Sequence, residues 1–222
     1  MLTRHARIGI LVAFVTVCAL AISGAAWTVR LPFPGWWPFA TFLLVATILE
    51  GLNTQLRVAA RGSTSFIMHL AAGLLFGGFW GAAIAGISTL FGDIARKNAP
   101  IKVLFNVSQR VLAVALAATL YQSLGGELPP TYLASGGNLS SQVVQRDLGL
   151  FLVYAVAYFL VNSVAVSAAV ALSSERAFRE VWHLNTRGVI GYDLGASVIA
   201  LLVDILYTGF DRWIGFGSAG LI

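Results

Sequence analysis

The chain has 222 residues, 58% of them hydrophobic and only 10% charged, with a mean hydropathy of +0.84. A water-soluble domain carries about a quarter of its residues as charged ones, so this composition excludes a soluble globular protein and points to a chain that crosses a membrane several times. The net charge of +5 and the pI near 9.8 come from scattered basic residues rather than a patch, so they mark the cytoplasmic side of a membrane and not a nucleic-acid surface.

The chain opens with MLTRHAR and the apolar run IGILVAFVTVCALAISGAAW. A basic start, an apolar core and small residues would also suit a secretory signal, but a run of about 20 residues exceeds the usual signal core of about 7 to 15. We read an uncleaved first helix over 8–28. The lone Cys18 lies inside it and has no intrachain partner for a disulfide. The turn LPFPGWWPF follows, with Trp36 and Trp37 as interface anchors, and leads to a second helix over 37–56. The glycine-rich region 64–95 is long for one span and short for two. It reads either as a single crossing or as a hairpin of two short helices, 64–76 and 78–95, broken at Gly77 and Gly78.

The basic residues favour the hairpin. With a cytoplasmic N-terminus it places Arg4, Arg7, Arg57, Arg61, Arg96, Lys97, Lys102, Arg176, Arg179 and Arg187 inside, leaving Arg30, Arg146 and Arg212 outside. A single crossing would move Arg96, Lys97 and Lys102 outside and invert the helices that follow. A further span is expected over 101–122, then the longest polar connection, GGELPPTYLASGGNLSSQVVQRD, at 125–147. Helices over 148–172 and 188–210 flank SERAFREVWHLNTRG. Within it, residues 174–186 read as an amphipathic interfacial helix with Phe178, Val181 and Trp182 toward the lipid boundary. The final WIGFGSAGLI, 213–222, is about half a span. It reads as a truncated helix of a longer protein, or as a short interfacial tail. The expected fold is thus an all-α transmembrane bundle of about six helices, with a short glycine-rich helical hairpin, in one integral membrane domain.

Two ridges of small residues run along the glycine-rich region: Gly73, Gly77, Gly81 and Ala85, and beside them Gly78, Ala82 and Gly86. Missing side chains let helix backbones approach closely, which is how helices associate where lipid supplies no hydrophobic force. We assign Gly73, Gly77, Gly78, Gly81 and Gly86 to helix packing. Polar groups inside lipid are costly, and each marks a site or a structural pair. Glu50, Asp93, Asn106, Gln109, Arg110 and Asp193 fall in the cytoplasmic third and form an expected polar cluster, with Arg110 paired to one of the carboxylates. Asp204 lies toward the outer half, where it reads either as lining an outward cavity with Asn162, Tyr192 or Tyr207, or as a protonated, hydrogen-bonded carboxyl. His5, His69 and His183 are scattered, with no HExxH, no CxxC pair and no phosphate-binding loop. We therefore expect no catalytic residue, no metal and no cofactor.

The block from SFIMHLAAGLLFGGFW through FNVSQR, residues 105–110, to YQSLGG resembles the N-terminal membrane region of bacterial signalling proteins. The cytoplasmic part of those proteins is an HD-GYP-type phosphohydrolase or a GGDEF-type cyclase, and the resemblance covers about residues 35–222. It implies a sensory or anchoring input domain in the bacterial inner membrane, non-catalytic in itself, with cyclic dinucleotide turnover carried by a part outside this chain. The same hairpin, ending in Gly92 and Asp93 before a basic loop, is similar to substrate-capture subunits of energy-coupling-factor vitamin transporters. That second resemblance implies a lid at 125–147, a vitamin-like ligand and a docking face for a partner subunit. The expected partners are the lipid bilayer, a second copy or a partner membrane subunit, and a small-molecule ligand.

Overall fold

The computed structural model describes residues 3–52, 64–130, 141–187 and 189–214. The expected cytoplasmic residues Arg57 and Arg61, the centre of the 125–147 connection and the end of the chain from 215 lie outside the described residues. All regular elements among the described residues are helices: α1 (Arg4–Thr28), α2 (Trp36–Leu52), α3 (Ser65–Ala95), α4 (Pro100–Ser123), α5 (Ser141–Ser174), α6 (Phe178–Thr186) and α7 (Val189–Ile214). Among them, five helices are long and apolar enough to cross a membrane: α1, α3, α4, α5 and α7. The helix α2 is apolar and shorter.

One of the five, α3, does not cross as a single rod. Gly77 leaves helical geometry at φ 80°, ψ 170°, a conformation that costs glycine little and other residues much. There the chain reverses. Gly81 returns onto Gly73 so closely that a Cβ on Gly81 would lie 2.6 Å from the Gly73 Cα. Across the same pair of arms His69 Nε2 lies 2.9 Å from Ser88 Oγ, whereas 19 residues of straight helix would separate them by about 28 Å. The glycine-rich region is therefore a hairpin of arms 65–76 and 78–95, about 18 and 27 Å long at the rise of an α-helix.

The hairpin forms the centre of the bundle. Every residue from Ser65 to Gly78 is buried, as expected of an arm that is apolar on all sides. Its glycine spacing lets the neighbours close in. Gly73 lies under the Tyr154 ring and Val114, Gly78 under Ala118 and Ala26, and Gly86 against Val111. The outer helices turn their large apolar side chains away from this core: Phe14 and Leu20 on α1, Leu44 on α2, and Leu202 and Leu206 on α7 are all exposed. In a membrane protein such faces are covered by lipid tails.

Contacts between helix ends fix the direction of each element. Leu31, just after α1, packs on Gly77 at the hairpin tip, and its carbonyl accepts from Trp80 Nε1 at 3.0 Å. Phe33 meets the Trp80 ring at 5.0 Å, so the aromatic turn between α1 and α2 caps the tip. At the opposite end Arg96 meets Glu50, and the Arg4 guanidinium donates to the Ser173 carbonyl near the end of α5. Asn185 of α6 donates to Ser167 of α5 at 3.1 Å, which holds α6 at that same end. Arg4, Arg7, Arg96, Lys97, Lys102, Arg176, Arg179 and Arg187 thus gather at one end of the bundle. Arg30 and Arg146 lie at the other, where Arg146 donates to the Gly125 carbonyl.

The observed bounds differ from the expected ones at helix ends. The helix α1 begins at Arg4, because Thr3 caps it by accepting from the Ala6 N–H at 3.3 Å. The helix α5 begins at Ser141 and absorbs the end of the polar connection. In α6 Phe178 is exposed, with its ring 5.7 Å from that of Trp182, while Val181 is buried rather than turned to the lipid boundary.

Candidate functional site

The densest polar arrangement among the described residues stands at the basic end, where α2, the second arm of α3 and α4 meet. Asp93 is the last buried position of that arm, and Arg96 follows it by one helical turn as the C-cap residue. This spacing aims the guanidinium back at the carboxylate. Arg96 Nη2 reaches Asp93 Oδ1 at 2.7 Å and Glu50 Oε1 at 2.9 Å, and Arg96 Nη1 donates to the Glu50 carbonyl at 3.0 Å. Asn98 donates to Asp93 Oδ1 at 2.8 Å and Asn106 to Asp93 Oδ2 at 2.7 Å. Ser65, at the base of the first arm, donates to Glu50 Oε2. Gly92 makes room for this: a Cβ there would lie 2.5 Å from Glu50 Cγ.

Asp93 is 1% and Glu50 5% exposed, so both carboxylates need compensation by charge and hydrogen bonds. Arg96 supplies charge to both, and Ser65, Asn98 and Asn106 add three further hydrogen bonds. Burial alone would make Arg96 easier to deprotonate, but the bonds to Asp93 and Glu50 outweigh it and raise its pKa above the ordinary value. The result is a clamp that ties α2, both arms of the hairpin and α4 into one unit.

The expected polar cluster is therefore divided. Glu50, Asp93 and Asn106 come together, and the cation bonded to the two carboxylates is Arg96, while Arg110 stays within electrostatic reach of Glu50 and Asp193. Arg110, the expected partner of a carboxylate, donates from Nη1 to the Tyr158 hydroxyl at 2.9 Å, on α5. Gln109 donates to Asn162 Oδ1 at 2.8 Å. These two bonds form a second layer, between α4 and α5. Asp193, early in α7, has its Oδ1 buried with no hydrogen-bond partner among the described residues. It borders a cavity with room for about one water molecule, walled by Phe66, Leu70, Tyr158, Phe159 and Ser197.

The residues expected to line an outward cavity are not brought together. Asn162 is engaged with Gln109, at the other level of the bundle. Tyr192 is 43% exposed and sits about 18 Å along α7 from Asp204. Tyr207 packs edge-on against Phe42 and Phe76, with centroids 5.6 and 5.9 Å away. Asp204 is fully buried.

Sequence reasoning treated Arg96 only as a marker of sidedness, although its place three residues after Asp93 was the available signal. Ser65, Asn98 and Tyr158 gave no signal, because their roles depend on how neighbouring helices are rotated. Among the described residues no three His, Cys, Asp or Glu side chains gather as a metal site. The arrangement holds elements together.

No curated protein and no solved structure matches the chain. One family model, MASE9, matches residues 8–221, nearly the whole chain and every helix of the bundle. With its apolar helices, central hairpin and polar clamp, the chain belongs to the MASE9 family, a family of membrane-associated sensor domains.

Proposed function

We propose that this chain is the membrane-embedded sensory input module of a bacterial signalling protein, and that it performs no catalysis itself. The observation that carries this reading is the family match across residues 8–221. The module sits in the cytoplasmic membrane with its basic end, and hence its N-terminus, toward the cytoplasm, a reading that the gathering of arginine and lysine at one end supports. A stimulus, such as a small molecule reaching the bundle, shifts the packing of the helices, and the clamp at Arg96 passes the shift to the cytoplasmic face. An output domain of HD-GYP or GGDEF type then changes cyclic dinucleotide turnover, in a homodimer whose second copy pairs through the lipid-facing helices. The Arg96 clamp supports such a role because charged bonds between packed helices favour discrete arrangements over continuous deformation.

The test is to purify the natively expressed protein, determine its mass and assay cyclic dinucleotide turnover with and without Arg96→Ala. A product heavier than 23.6 kDa, with a cytoplasmic enzymatic domain whose output changes in the variant, supports the proposal. A 23.6 kDa product that co-purifies with an ATPase-coupled membrane partner and a bound small molecule overturns it.

A further inference from the structure

Asp204 stands apart from every polar contact described so far. It lies in the half of α7 toward the Gly77 tip, is 0% exposed, and neither carboxylate oxygen has a hydrogen-bond partner among the described residues. Neighbouring polar groups are committed elsewhere. The Thr208 hydroxyl donates to the backbone carbonyl of Asp204 and not to its carboxyl, at 2.9 Å. The Tyr154 hydroxyl of α5 donates to the Leu70 carbonyl at 2.8 Å. Of the basic residues at this end, Arg146 is turned to the Gly125 carbonyl and Arg30 to the Trp27 carbonyl and ring. The ionisable groups in electrostatic reach are Tyr154 from α5 and Tyr121 from α4. The hairpin, α2 and α6 place no charged group against it among the described residues.

An ionised carboxylate in this setting would have neither a counter-charge nor a donor, and its desolvation would exceed what a marginally stable fold tolerates. A carboxyl in such a place is neutralised instead.

We propose that Asp204 is a proton-binding site of the bundle: its carboxyl is held as the uncharged acid at neutral pH, and the proton passes to water only when α7 separates from the hairpin and α5. Binding is the reverse step, in which water delivers a proton to the carboxylate and α7 closes over it. Protonation and the seating of α7 are thus one equilibrium, and whatever moves α7 releases or takes up a proton.

Infrared spectroscopy of the full chain in lipid nanodiscs at neutral pH tests this. The wild type should show the C=O band of a protonated carboxylic acid, and the band should shift when aspartate is labelled with 13C. It should be lost in Asp204→Asn, which keeps size and neutrality and should melt like the wild type. Transfer to D2O should move the band slowly, as α7 opens. A wild-type spectrum without a 13C-aspartate-sensitive acid band overturns the proposal, and this readout needs no variant. So does a band that survives in Asp204→Asn, and so does stability of the wild type that rises specifically with sodium, which would place a metal cation there. A band that moves at once in D2O overturns the coupling to α7.

Discussion

His69 Nε2 lies 2.9 Å from Ser88 Oγ at the centre of the bundle, and this bond joins the two arms of the hairpin. The Ser88 hydroxyl also lies 3.1 Å from the Ala85 carbonyl. Both side chains are fully buried. Ser88→Ala therefore leaves a buried ring nitrogen of His69 without a partner, at a cost of about 1–3 kcal/mol. Thermal unfolding of the purified protein in mild detergent should show the loss, while Ser88→Thr, which keeps the hydroxyl, should recover most of it.

Gly81 allows no side chain, because its Cβ would fall 2.6 Å from Gly73 Cα and 2.7 Å from Gly73 N. The obstacle is backbone, which cannot rotate aside. Gly81→Val should force the arms apart, at a cost of about 3 kcal/mol or more. Gly77→Ala meets a different penalty: its backbone at φ 80°, ψ 170° is in a region that essentially only glycine occupies, where a Cβ costs about 1–3 kcal/mol. The same unfolding assay should rank Gly81→Val well below Gly77→Ala, with Gly9→Ala, whose Cβ would meet nothing, at wild-type stability.

The hairpin was legible because the run is long for one span, carries glycine at packing spacing with a glycine pair at its middle, and sorts the basic residues to one side only if it turns back. The all-helical bundle was legible from the lengths of its apolar runs. Polar partners were not. Whether Arg96 or Arg110 reaches Glu50 and Asp93 is decided by helix rotation and by the turn after Ala95, neither of which leaves a periodic trace. Asn162 and Asp204 both sit in apolar runs and look alike in sequence, yet one meets Gln109 and the other meets no polar side chain among the described residues.

Arg96→Ala removes the cation shared by Glu50 and Asp93. Breaking a buried ion pair by deleting one partner costs about 3–5 kcal/mol. Because the Arg96 side chain retains 24% exposure, water softens the loss, and we expect the lower end of that range. Arg96→Lys keeps the charge but not the fork that reaches the Glu50 carbonyl and both carboxylates at once, so it should recover only part of the stability. The double variant Glu50→Gln, Arg96→Ala should be less damaged than the sum of the single changes, since each removes the other's partner. Unfolding midpoints of the four proteins give the coupling directly, and strict additivity would show that the clamp carries no interaction energy.

The distribution of basic residues predicts which end of the bundle faces the cytoplasm, and single cysteines can read it. With Cys18→Ser as background, Lys97→Cys and Arg176→Cys place a thiol at the exposed basic end, while Val29→Cys and Glu127→Cys place one at the exposed opposite end. A membrane-impermeant maleimide added to intact spheroplasts should label positions 29 and 127 and spare 97 and 176 until the membrane is opened. The informative position is 97. It follows the hairpin, so it shares a side with the N-terminus only if the glycine-rich region enters and leaves by the same face. Labelling of 29, 97 and 176 from outside, with 127 protected, would mean that the glycine-rich region crosses once and that the reversal at Gly77 does not set the topology in the membrane. Labelling of 97 and 176 from outside, with 29 and 127 both protected, would invert the whole bundle and contradict the positive-inside rule.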